Sequence, residues 1–144
     1  MKTAAEQDIS QPPGKVEPLC PVFGMCGGCS YQDISYADEL LIKEEKLRSL
    51  FAKNFDLPEE AFQPIVPSPA PYGYRNRLDL TLARSKGEVL LGFQSYSSKR
   101  LIPVDSCAIA RKEISDFILE LQEQAQAKLP ENYRRANLVV RTGD

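Results

Sequence analysis

The sequence predicts a truncated α+β fold, in which a small cysteine-bearing loop and helix module is joined to an antiparallel sheet with a packed helix. Three observations carry this. Apolar residues recur at the helical period over about 36–54 and again over about 111–128. Between these stretches, from Tyr74, the period changes to two. Three cysteines precede the first helix and the remaining one, Cys107, follows the alternating region. The organisation expected is a flexible tail over 1–19, a cysteine loop and helix over 20–56, a proline-rich connector over 57–73, and a partial second domain over 74–144.

The opening residues are polar and carry Pro12, Pro13, Gly14 and Pro18, which suits a mobile tail. The cysteine loop follows, Cys20-Pro21-Val22-Phe23-Gly24-Met25-Cys26-Gly27-Gly28-Cys29. Gly27 and Gly28 let the backbone turn tightly there. Phe23, Met25 and Tyr31 are candidates to shield the loop from water, or simply to pack it. Ser35 is placed to cap the first helix, with Asp38 and Glu39 in its first turn. Leu40, Leu47, Leu50, Phe51 and Phe55 form its apolar face. Acidic residues outnumber basic ones across 31–60, which argues against this helix as a nucleic-acid surface and for a buttress.

Pro64, Pro67, Pro69 and Pro71 exclude a regular helix from the connector, leaving a linker or an extended arm. Leu78, Leu80 and Leu82 then make one apolar strand face. Ser85–Glu88 reads as a turn, Val89–Phe93 begins a second strand, and Arg100–Val104 makes a third. Ile114, Phe117, Ile118, Leu121 and Ala125 line the second helix, which Pro130 ends. A further strand is expected over 136–141. An interior strand and turn ordinarily lead into more chain, so the domain is read as cut short.

Composition narrows the function classes. A net charge of -2 rules out a polycation, and no apolar run is long enough to span a bilayer. The first eight residues have no apolar core of a secretory signal, which points to the reducing cytoplasm and to thiols free for metal. The absence of histidine excludes Ser-His-Asp, Cys-His and mixed Cys/His zinc schemes. There is neither a Walker A motif nor a G-x-G-x-x-G loop. The spacing C-x5-C-x2-C with one distant cysteine suits four-thiolate zinc, a [4Fe-4S] cluster, or two disulfides, and spacing alone leaves these open.

Cys20, Cys26, Gly27, Gly28, Cys29 and the distant Cys107 together resemble the iron–sulfur motif of the RNA (uracil-5-)-methyltransferase family, in particular its 23S ribosomal RNA branch. Tyr74-Arg75-Asn76-Arg77 is similar to that family's Tyr-Arg-Asn-Arg segment. Leu91-Gly92-Phe93 and the stretch from Lys99 to Cys107 are similar to its Gly-Phe strand and the return strand that delivers the last ligand. The resemblance runs from about Cys20 to the C-terminus. It implies a [4Fe-4S] cluster on Cys20, Cys26, Cys29 and Cys107. It also implies RNA as partner, 23S rRNA first and tRNA second. In that family the S-adenosylmethionine domain, the nucleophilic cysteine and the general base lie further along, so no catalytic residue is expected in these positions. The chain is then the N-terminal portion of such an enzyme, or alternatively a stand-alone iron–sulfur RNA-binding or adaptor module. Electron transfer by a single cluster is a third reading, but the chain lacks the dense cysteine runs of small ferredoxins.

Residues 75–111 carry an excess of arginine and lysine, interspersed with Phe93 and Tyr96 and preceded by Tyr72 and Tyr74. Arginine forks suit phosphate, and aromatic faces suit unpaired bases. Arg75, Asn76, Arg77, Lys99 and Arg100 are therefore the RNA-contact candidates, with Arg134 and Arg135 weaker ones. The competing reading is a solvated sheet face, with Arg75 and Arg77 pairing to Asp79, Asp105 or the cluster's negative field.

Overall fold

A computed structural model describes residues 14–143. The expected tail therefore lies outside the described residues as far as position 13. The fold is α+β, with a four-stranded antiparallel sheet and two helices. Contacts group the chain into two compact units. One contains 31–69 together with the described residues up to Pro18; the other contains Leu19–Ser30 and 70–143. The cysteine loop thus groups with the sheet, and the helix that follows it does not.

In the first unit, helix α1 spans Tyr36–Asn54. Ser35 caps it: the Ser35 Oγ accepts the Asp38 N–H at 3.1 Å and donates to Asp38 Oδ2 at 2.6 Å. Residues 14–16 lie against this start. Val16 N–H donates to Asp33 O at 2.9 Å, and Gly14 N–H to Asp38 Oδ2 at 3.0 Å. The apolar face expected on α1 is not buried. None of its residues is buried, and Leu50 and Phe55 are each 60% exposed. The reason is local: among the described residues of this unit no sheet packs on that face, which meets the rings of Phe51, Phe55 and Phe62, with the Arg48 guanidinium over the Phe62 ring. The connector holds one short 3-10 turn, Glu59–Ala61, and Ser68 N–H reaches Tyr36 Oη at 2.7 Å.

In the second unit, strands β1 (Arg77–Ser85), β2 (Glu88–Gln94), β3 (Leu101–Pro103) and β4 (Arg135–Arg141) lie in the order β3-β2-β1-β4, with helix α2 over Lys112–Lys128. The alternation of β1 is realised: Leu78, Leu80 and Leu82 are buried, and Leu80 stands opposite Leu138 of β4. Ile114 and Ile118 of α2 close the core with Leu78, Leu80, Val104 and Ala110. Lys86 and Gly87 both have positive φ, the geometry a two-residue hairpin needs to match strand twist.

Sequence periodicity does not disclose one device. The pairing of β3 with β2 covers only Gly92–Gln94, so the amides of Val89 and Leu91, whose side chains are buried, have no acceptor in β3. Their amides are taken by α2 instead: Val89 N–H donates to Gln126 Oε1 at 2.6 Å and Leu91 N–H to Gln122 Oε1 at 3.2 Å. Two glutamines one helical turn apart complete the sheet edge.

Candidate functional site

The cysteine loop is built from tight turns. Phe23 N–H donates to Cys20 O, while Met25 and Cys26 N–H both donate to Val22 O. Gly24 and Gly27 take positive φ, which side chains resist. At Gly27 a second constraint applies, because a Cβ would lie 2.9 Å from Tyr96 Cβ. Val22 anchors the loop on the core beside Leu78 and Ile118, and Cys107 packs on the same cluster.

All four cysteines belong to this unit, and all are half-buried and free of disulfides. Burial raises the Cys107 thiol above the ordinary range, opposed by the amides of Ile109 and Ala110 aimed at its sulfur. The nearby Cys20 raises it further, and Arg75 lowers it slightly. The Cys107 backbone N–H donates to Ser115 Oγ at 3.0 Å, fixing its loop to α2. Among the described residues, however, no three cysteine or acidic side chains stand together as a metal-binding group. The donor chemistry nevertheless suits an iron–sulfur cluster: four thiols, amide hydrogens directed at sulfur, and no charged residue from Leu19 to Ser30.

The expected shield around the loop is incomplete. Met25 is 48% exposed. Tyr31 groups with α1, where Lys43 and Lys46 sit over its ring and Lys46 Nζ donates to its hydroxyl at 2.9 Å.

The basic candidates divide by environment. Arg75 is stitched by its backbone to the segment after Cys107: its N–H donates to Ile109 O and its carbonyl accepts from Arg111 N–H, both at 2.8 Å. Arg77 is forked onto Asp79, with Nη2 to Oδ1 at 2.6 Å. That hydrogen bond raises the Arg77 guanidinium and holds the Asp79 carboxyl below its usual range. Both side chains are exposed, so the pair contributes little to stability. The Asn76 carbonyl accepts the Thr142 N–H at 3.0 Å. Arg84 is structural, its guanidinium donating to the carbonyls of Gly87 and Leu129. Lys99 and Arg100 remain exposed in the β2–β3 turn.

Two features escaped sequence reasoning. Arg141 stands directly opposite Arg77, a like-charge pair visible only once the strand register is known. The β2–β3 turn meets the cysteine loop, Tyr96 N–H donating to Met25 O at 3.3 Å, and no local pattern announces that contact.

The second unit is thus a one-sided α+β sheet module bearing four half-buried thiols and a basic, partly aromatic surface. No family model matches the chain. It is 36% identical, over 92% of its length, to an uncharacterized RNA methyltransferase of Clostridium tetani, covering 31% of that protein. It is 34% identical, over 90% of its length, to a 23S rRNA (uracil(1939)-C(5))-methyltransferase of Chromobacterium violaceum, covering 25% of it. It is 31% identical, over 85% of its length, to a tRNA (uracil(54)-C(5))-methyltransferase of Schizosaccharomyces pombe, covering 24% of it. The chain is therefore related to one part of the RNA (uracil-C5)-methyltransferases and spans about a quarter to a third of the length of the curated relatives it matches. Among the described residues no helix is long and apolar enough to cross a membrane.

Proposed function

We propose that this chain is a portion of an S-adenosylmethionine-dependent RNA uracil-5-methyltransferase, carrying its [4Fe-4S] site and part of its RNA-binding surface. The observation that supports this best is similarity over most of the chain to relatives named for uracil-C5 methylation of 23S rRNA and of tRNA. 23S rRNA is the proposed substrate of the whole enzyme, acting in the cytoplasm, with methyl transfer performed by a domain outside these residues. Cys20, Cys26, Cys29 and Cys107 would hold the cluster, each as thiolate. When bound, the cluster supplies a rigid anionic cross-link rather than chemistry on the base. A cysteine committed to iron is no longer a nucleophile for uracil. Closing Cys20–Cys29 onto Cys107 would tie the loop to the segment that Arg75 and Ser115 already hold in place.

Anaerobic reconstitution with quantification of iron, sulfide and zinc tests this reading. About four irons and four sulfides per chain are expected, with Cys107→Ser losing most of both. One zinc without sulfide would overturn the cluster assignment. The same chain should transfer no methyl group from labelled S-adenosylmethionine to unmodified 23S rRNA, and transfer by it would place the chemistry within these residues.

A further inference from the structure

We propose that Tyr96 is a base-stacking residue for unpaired RNA, presented beside the cysteine loop, with Lys99 and Arg100 of the same turn taking the flanking phosphates. The inference rests on the RNA reading above and gives that surface a location. Tyr96 is 86% exposed, the most exposed aromatic ring among the described residues, yet its backbone is fixed. Its own N–H donates to Met25 O at 3.3 Å, Ser95 N–H donates to Arg100 O at 2.8 Å, and Arg100 N–H donates to Ser98 Oγ at 3.3 Å. An ordered turn therefore holds a flat apolar ring in water, with little of the ordering cost a flexible loop would incur on binding.

The surroundings leave room for a base. The turn is otherwise Ser95, Ser97 and Ser98, and Gly27 of the cysteine loop lies against Tyr96. Gly27 is required there, since a side chain would meet Tyr96 Cβ. Exposed Met25 extends the apolar surface on the loop side. From Gln94 to Val104 the only charges are Lys99 and Arg100, both exposed, so nothing acidic in the turn repels a phosphate. An aromatic face with adjacent cations is how single-stranded nucleic acid is held, stacking on the ring while phosphates are neutralised.

The experiment measures binding of the full chain to a labelled, uridine-rich single-stranded RNA, with a 5-iodouridine version for photo-cross-linking. Tyr96→Ala should weaken binding about 5- to 150-fold, the range for loss of one stacked base. Tyr96→Phe should bind within a few-fold of wild type, because the ring does the stacking. Lys99→Ala should flatten the salt dependence by about 0.7 in log–log slope, one phosphate contact on a single strand. Cross-links should map to residue 96. Because the ring is in solvent, each variant should melt with the wild type. Wild-type affinity in Tyr96→Ala, with cross-links elsewhere, would overturn this inference while RNA binding stands. Failure of the wild type itself to bind RNA would remove the RNA reading and this inference with it.

Discussion

Removing the two glutamine acceptors from α2 tests whether the helix holds the sheet by hydrogen bonds as well as by apolar packing. Gln122→Met and Gln126→Met keep side-chain length and helix propensity but leave the amides of Leu91 and Val89 without an acceptor. Leu91 is 0% and Val89 3% exposed, so water does not readily replace the lost partner. A buried donor left unsatisfied costs about 1–3 kcal/mol. Gln126 lies at the exposed end, where water can follow, so its loss should sit near 1 kcal/mol and that of Gln122 nearer 2. Together they should cost about 3 kcal/mol, lowering Tm by roughly 10–20 °C for a domain of this size. Gln124→Met is the control. Its side chain bonds only Glu120 and Lys128 on the same helix, and the change should be within about 0.5 kcal/mol. Thermal melting and hydrogen exchange at the Val89 and Leu91 amides provide the readouts. A double variant that melts with the wild type and keeps both amides protected would mean that apolar packing alone holds the helix on the sheet.

Gly92→Ala should destabilise by about 3 kcal/mol, because a Cβ there would lie 2.7 Å from the Ile102 carbonyl carbon and 2.9 Å from Pro103 Cα, forcing β3 away; the urea midpoint measures this. Ser35→Ala should cost about 1 kcal/mol by removing the acceptor for Asp38 N–H, and far-UV circular dichroism should show fraying of α1, which has no buried residue to hold it.

Element order, the apolar face of β1 and the core-facing residues of α2 were legible in the sequence, because periodicity is a local property. Leu78, Leu80 and Leu82 alternate, and Ile114, Ile118 and Ala125 recur at helical spacing, whatever they pack against. The same periodicity misled on α1. Leu47, Leu50 and Phe55 share a stripe, but a stripe does not state whether a partner covers it, and among the described residues all three stay exposed. The cysteine spacing and its resemblance named a ligand set, while the sequence could not say that Cys107 would be half-buried with amides directed at its sulfur. The tertiary structure alone decided the remaining features. These are the placement of β4 beside β1, the glutamine acceptors on Val89 and Leu91, the grouping of the cysteine loop with the sheet, and the contact that fixes Tyr96 beside Met25. Each depends on residues far apart in the chain, whose meeting is set by how apolar faces pack rather than by any local pattern.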